Sequence, residues 1–246
     1  DVLGSRGLGD VYKRQKEKLL EEGIPFVLKD KQVYLPFIGY LLSNENERKI
    51  SPVHLISFLT QKVILVAIYE KWENVTASKA AIRLGVTKMS ANRCFDEIEY
   101  LNVDILGMKG KSRVITVPAD IQKLWNDVRV ILRNPVIARY ELKEDIQLGK
   151  KAGITALCEY SLLSDNEYPT YAITKKEITE SGIRKMKQVH SGEEIGCVVL
   201  ELGYFIDFKN KKLEDPLSVT LSLTESEKQD ERIGISIKRM LEEYVW

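Results

Sequence analysis

The clearest hydrophobic pattern in the chain predicts a short helix that starts at Thr76 and ends at Gly85. Ala80, Ala81 and Leu84 lie three and four positions apart and therefore share one face of a helix. The hydroxyl of Thr76 can accept a hydrogen bond from a free amide of the first turn. Gly85 can adopt the left-handed backbone that closes a helix. The pattern thus predicts an amphipathic helix with a defined start and end.

A second predicted helix runs from residue 87 to residue 101. Thr87 can cap its start, and Asn102 can supply the left-handed residue at its end. The apolar residues on its inward side recur at helical spacing. They are Ala91, Cys94 or Phe95, Ile98 and Leu101. Beyond this helix, the apolar residues of 103–117 suit two short strands joined by the flexible tip 107–113.

The polar side chains of these elements suit contacts with double-stranded DNA. Donors at the start of the second helix can reach base edges in the major groove. These residues are Thr87, Lys88, Ser90, Asn92 and Arg93. Cations and a hydroxyl around the tip can meet phosphate oxygens or enter the neighbouring minor groove. These residues are Lys109, Lys111, Ser112 and Arg113.

The order of helix, turn, helix and basic hairpin resembles the winged helix-turn-helix of MarR-like bacterial transcription regulators. The resemblance covers residues 76–117 and extends loosely over 60–132. It implies a transcription regulator that places helix 87–101 in the major groove and rests the wing, 107–113, on the DNA backbone. A winged helix used only for protein contacts is the alternative, because the pattern indicates the fold better than the ligand.

Helices on either side of this unit complete a predicted winged-helix domain over residues 50–140. From Thr60 onward, Val63, Ile64, Ala67 and Ile68 repeat at helical spacing. A further helix beginning at Pro118 has its own buried stripe. The stripe consists of Ile121, Leu124, Trp125, Val128 and Leu132. In the MarR-like family such flanking helices often form a dimer interface, which implies a homodimer; packing within its own domain is an equal alternative.

The segments before residue 50 receive no functional role. Residues 1–15 lack periodicity, and their string SRGLGDVYKRQ resembles the translation of a sequencing-library adapter, which implies that the natural N-terminus is missing. No apolar strand precedes the glycines of this segment, so they do not form a dinucleotide-binding loop. In the region 16–49, two apolar runs flank the turn-forming residues 29–31 and predict a β-hairpin. A polar linker is predicted over 43–49.

The composition changes from Glu141 onward, where fifteen Lys or Arg accompany twenty Asp or Glu. By contrast, residues 76–117 hold seven Lys or Arg and four Asp or Glu. The C-terminal part is predicted to have a helix over 152–160, strands over 168–173 and 197–205, a half-buried strand over 217–223 and a terminal helix. The fold class predicted for the chain is therefore α+β, with the winged helix-turn-helix domain followed by a small mixed α+β domain, 141–246.

The helix and strand between Ala152 and Ile173 resemble the C-terminal domain of AbiE-type antitoxins. That resemblance implies a protein partner for residues 141–246, such as a nucleotidyltransferase toxin. A toxin-neutralising or other protein-interaction module with little direct DNA role is thus the alternative to a regulator. A replication initiator built on winged helices is another DNA-binding possibility, against which the single obvious winged unit counts.

Composition also limits the chemistry. The net charge of +1 means that any DNA affinity must be local. Three isolated cysteines and two histidines form no ligand cluster, so neither a metal nor another cofactor is expected. No phosphate loop, zinc motif or nucleophile elbow occurs, so a catalytic site is not predicted. No apolar run suits a membrane span and no secretory signal is apparent, so a cytoplasmic protein without membrane contact is expected.

Overall fold

The computed structural model describes residues 15, 18–28, 32–35, 40–43, 53, 55–164, 167–186, 188–190, 193–209 and 211–246. It is a mixed α+β structure, as predicted at this coarse level. The chain divides into two compact units, Asp1–Ile50 and Ser51–Trp246. The adapter-like segment except Gln15, the turn at 29–31 and the predicted linker after Ser43 lie outside the described residues.

In the first unit, three short strands form an antiparallel sheet. They are β1 (Phe26–Leu28), β2 (Gln32–Leu35) and β3 (Tyr40–Ser43), in the order β1-β2-β3. Val27 pairs with Val33, and Val33 pairs with Leu42. The predicted hairpin is confirmed, and β3 extends it by a strand that the sequence pattern did not indicate.

The second unit opens with three capped helices, of which the second and third start at the caps that the sequence predicts. They are α1 (Phe58–Tyr69), α2 (Ala77–Leu84) after the short strand β4 (Val75–Thr76), and α3 (Lys88–Tyr100). Thr76 Oγ1 accepts from Lys79 N–H at 3.4 Å, and Thr87 Oγ1 accepts from Ser90 N–H at 3.1 Å. Gly85 is left-handed at φ 65°, as is Asn102 at φ 54°. Helix α3 packs against both α1 and α2.

A three-stranded antiparallel sheet follows α3. Strands β5 (Leu106–Lys109) and β6 (Ser112–Ile115) form a hairpin, and β4 pairs with β6 to give the order β4-β6-β5. Val114 and Ile115 are buried, which anchors the base of the hairpin in the core. Helix α4 (Ile121–Val128) comes next and starts three residues after the predicted Pro118, because Asp120 caps it by accepting from Lys123 N–H at 2.9 Å.

The C-terminal part contains a four-stranded sheet in the order β7-β10-β9-β8. Its strands are β7 (Val136–Leu142), β8 (Lys150–Lys151), β9 (Thr170–Thr174) and β10 (Cys197–Leu202). Strands β9 and β10 are parallel and the other pairings are antiparallel. Helices α5 (Gly153–Tyr160) and α6 (Lys175–Ser181) pack against β9. The predicted helix and the two strands β9 and β10 are confirmed, whereas β7 and β8 were not predicted.

The prediction of a half-buried strand over 217–223 is wrong, because this segment forms helix α7 (Pro216–Ser222). Asp215 caps the helix by accepting from Ser218 N–H at 3.0 Å, and proline suits the first helical position, where no amide partner is needed. The alternating serines suggested an exposed face, yet Ser218 and Ser222 are both buried.

Two helices complete the chain. They are α8 (Glu225–Lys228) and α9 (Glu231–Tyr244). Thr224 and Glu227 form a capping box that starts only the short α8, and Asp230 caps the terminal helix separately. The predicted terminal helix is confirmed as α9, whose inner face has Ile233, Met240 and Leu241 buried and Ile237 partly buried.

One hydrophobic cluster joins the parts of the second unit. It includes Phe95 and Trp125 from the predicted winged-helix region and Leu157, Leu217 and Met240 from the C-terminal region. The functional division at 140/141 stays a prediction. The structure shows that buried residues on both sides of that position share a core.

Candidate nucleic-acid interface

The first two turns of α3 present their polar side chains to solvent. Phe95 and Ile98 are fully buried beneath the helix, and this burial fixes which face points outward. Lys88 and Arg93 are exposed on that outward face, while Asn92 is half-buried. The structure therefore places the predicted cations of α3 where a large partner can reach them.

Two of the predicted groove contacts take part in the helix cap. The hydroxyls of Thr87 and Ser90 lie 2.9 Å apart, and Thr87 also accepts from the Ser90 amide. Thr87 is exposed and Ser90 is half-buried. In the structure, Thr87 and Ser90 therefore define where α3 starts, and the start of the helix sets the position of Lys88 and Arg93.

The tip of the β5–β6 hairpin exposes a second group of cations. Lys109 pairs across the hairpin with Ser112, and Gly110 and Lys111 form the turn between them. Gly110 has a φ of 60°, a left-handed conformation that glycine adopts without strain. Lys109, Lys111 and Ser112 are all exposed. The tip can therefore offer two ammonium groups and a hydroxyl to an anionic partner.

Arg113, which is predicted to contact the DNA backbone, lies on β6 and forms ion pairs within the protein. Its side chain is only 14% exposed, and Nη1 lies 2.8 Å from Asp96 Oδ1 and 2.8 Å from Glu99 Oε2. Its guanidinium carbon lies 5.8 Å from the centroid of the Phe95 ring. Arg113 therefore ties the hairpin to α3, and it neutralises two carboxylates on the helix that carries Lys88 and Arg93.

The remaining cations of this surface differ from Arg113, because no carboxylate of the described residues forms an ion pair with them. Within the described ranges, no Asp or Glu forms an ion pair with Lys88, Arg93, Lys109 or Lys111. The nearby Arg83 is engaged instead, since its Nε donates to Glu70 Oε1 at 2.6 Å. We call these four residues the cationic surface. Each of the four carries a positive charge that is in no ion pair with a described carboxylate.

Two exposed methionines lie among these cations, and sequence reasoning missed both. Met89 on α3 is 67% exposed and Met108 on β5 is 66% exposed. The sulfur of Met89 lies 3.9 Å from Nη2 of Arg93, one helical turn further along. The sequence could have indicated that Met89 is exposed, because Met89 lies opposite the inward apolar face of the helix and one turn before Arg93.

A second polar cluster is buried between α1, α5 and α7. The hydroxyl of Tyr69 donates to Asp215 Oδ1 at 2.6 Å and accepts from Leu217 N–H at 2.8 Å. Glu214 Oε2 accepts from Gly153 N–H at 3.1 Å, at the start of α5. The hydroxyl of Ser222 lies 3.3 Å from the same oxygen. We call Glu214 and Asp215 the buried carboxylates.

Burial is the largest influence on the pKa of both buried carboxylates. It raises the pKa of Glu214 from its ordinary 4.5 to about 8, and the bond from Gly153 opposes the rise only in part. Burial likewise raises the pKa of Asp215, against the lowering effect of its bonds from Tyr69 and Ser218. These hydrogen bonds lie at the end of α1 and at the starts of α5 and α7, so the cluster stabilises the fold.

The structure and the comparisons with known proteins add three findings. In the described part of the chain, no group of three or more His, Cys, Asp or Glu is placed to hold a metal ion. None of the described helices combines the length and apolar character needed to cross a membrane. No protein-family model, curated protein or solved structure matches the chain.

Proposed function

We propose that this protein is a sequence-specific regulator of transcription that binds double-stranded DNA through a winged helix-turn-helix. In this proposal α2 and α3 form the helix-turn-helix and the β5–β6 hairpin forms the wing. The observation that carries the proposal is the cationic surface, in which Lys88, Arg93, Lys109 and Lys111 are exposed and free of described ion pairs.

The arrangement of these cations suits the two parts of a DNA duplex. The exposed start of α3 can enter the major groove, where arginine can bind the O6 and N7 atoms of guanine. Lys109 and Lys111 at the hairpin tip can contact phosphates without reading sequence. Arg113 supports both, because its ion pairs hold the hairpin on α3 and remove the repulsion that Asp96 and Glu99 would exert on phosphates.

A salt titration on DNA tests the proposal directly. The wild type and Lys109→Ala/Lys111→Ala would be titrated onto random-sequence duplex at several salt concentrations. Each phosphate contact contributes about 0.9 to the slope of log affinity against log salt, so losing both lysines should lower the slope by up to about 2. Lys175→Ala/Lys176→Ala on α6 is the matched control and should keep the wild-type slope, since these exposed lysines lie outside the cationic surface. No binding by the folded wild type at low salt would overturn the proposal.

Sequence reading is tested separately with Arg93→Ala. A lost base contact should weaken binding to a selected site by about 1–3 kcal/mol while leaving binding to random duplex nearly unchanged. Equal losses on selected and random DNA would instead make Arg93 a phosphate contact. Unchanged binding to both would remove it from the interface.

We further propose that the regulator acts as a homodimer, because two-fold symmetric proteins read two half-sites about one helical turn apart. Val130, two residues after the end of α4, is 79% exposed and marks an apolar position beside the helix considered for dimer contacts. The molar mass from light scattering should be twice that of the 28.2 kDa chain. Val130→Glu should shift it toward one chain, whereas a monomeric wild type would contradict this part of the proposal.

A further inference from the structure

Met89 has an apolar side chain that is not buried in the core. It lies at the second position of α3 and is 67% exposed, while the apolar residues of the opposite face fill the core. It follows the cation Lys88 directly and precedes Arg93 by one helical turn. On the proposed recognition helix, this position faces the floor of the major groove together with Arg93.

The chemistry of the groove floor gives such a side chain a specific partner. Among the four bases, only thymine presents a methyl group in the major groove, and apolar side chains recognise it by contact. A methionine is flexible and polarisable, so it can follow the surface of that methyl. Its sulfur lies 3.9 Å from Nη2 of Arg93, so an apolar group and hydrogen-bond donors lie side by side on the exposed face of α3.

We propose that Met89 determines specificity by packing on the C5-methyl of a thymine next to the base bound by Arg93. The inference rests on the proposed DNA binding and deepens it, because it names a base that the preferred site must contain. Met108 provides the comparison, since it has the same side chain and nearly the same exposure, 66%, but lies on the hairpin.

The experiment removes only the methyl group from the DNA. A duplex library with a random centre would be enriched for binding by the wild-type chain, and the enriched pool would be amplified with either dTTP or dUTP. Uracil pairs as thymine does but lacks the methyl. Affinities of both pools would be measured for the wild type, Met89→Ala and Met108→Ala. Alanine favours helix, and circular dichroism would verify that the exposed Met89 can be replaced without unfolding.

The wild type should bind the thymine pool about fourfold more tightly than the uracil pool, the factor expected for burying one methyl-sized group. Met89→Ala should bind both pools equally, and Met108→Ala should retain the fourfold preference. A preference that persists unchanged in Met89→Ala overturns the inference, as does equal binding of both pools by the wild type. In those two cases DNA binding itself still stands. Failure of the wild type to enrich any pool overturns the proposed function, and the inference falls with it.

Discussion

The two charged regions of the second unit use charge in opposite ways. The cationic surface exposes four side chains with no described carboxylate to neutralise them, whereas the buried carboxylates are enclosed and bound to backbone amides and hydroxyls. An exposed charge costs little in the folded state and can exchange its water for a partner. A buried charge costs a great deal unless it is protonated or hydrogen-bonded.

Under the proposed function, this difference separates residues that bind DNA from residues that stabilise the fold. Replacing a member of the cationic surface should change DNA affinity and leave folding nearly unaffected. Replacing a buried carboxylate should change stability first. Arg113 lies between the two regions in character, since it is partly buried and paired but belongs to the hairpin. Three experiments on stability test this division.

The largest expected effect is the loss of stability with rising pH caused by Glu214. Because folding raises its pKa from 4.5 to about 8, the folded protein keeps a proton that the unfolded chain has already released. The stabilisation is complete below pH 4.5 and is lost as the pH rises through 8, with an amplitude of about 5 kcal/mol. Urea unfolding at a series of pH values should show this decline.

Glu214→Gln separates this residue from the other groups that titrate. Glutamine keeps the shape and an acceptor for Gly153 N–H but cannot ionise. The free energy of unfolding of the Glu214→Gln variant should therefore fall much less than that of the wild type between pH 5 and pH 8. The raised pKa of Asp215 also makes the protein less stable as the pH rises, so part of the decline should remain in the variant. Parallel curves for variant and wild type would show that Glu214 does not retain its proton in the fold.

A smaller effect is expected from Asp215→Ala, at about 3 kcal/mol in the free energy of unfolding. The change removes the cap of α7 and leaves the buried Tyr69 hydroxyl without its acceptor. The matched control is Asp120→Ala, which removes the exposed cap of α4 and should cost about 1 kcal/mol. Chemical denaturation measures both, and equal costs would mean that burial adds nothing to the role of Asp215.

The smallest effect on stability belongs to the hairpin. Arg113→Ala should cost about 1–2 kcal/mol, because Asp96 and Glu99 lose their cation and the hairpin loses its tie to α3. Lys111→Ala at the tip should stay within about 0.5 kcal/mol of the wild type. If thermal unfolding showed that Lys111→Ala destabilises the protein as much as Arg113→Ala does, the distinction between exposed and supporting cations would fail.

Local signals in the sequence predicted the helices well where caps and spacing agreed. Thr76, Gly85, Thr87 and Asn102 each play the predicted part, since each acts through its neighbours along the chain. The pattern failed over 217–223, where full burial of serines on α7 removed the contrast between inside and outside. The cap supplied by the preceding residue, followed by proline, was the signal that would have identified the helix.

The candidate site was only partly predictable for a related reason. Exposure of Lys88, Lys109 and Lys111 follows from local pattern alone. The ion pairs of Arg113 depend on how the hairpin folds back on α3, a contact between residues that spacing does not bring together. Glu214 meets Gly153 across 61 positions of the chain, so its shifted pKa could not be foreseen from its neighbours.

The shared hydrophobic cluster also limits how this protein can change by recombination. A DNA-reading unit with its own core can be exchanged between proteins as a cassette. Here, a cut at 140/141 would uncover apolar surface on both pieces, because Trp125 and Leu217 belong to one cluster. Residues 51–246 are therefore expected to be inherited and to unfold together.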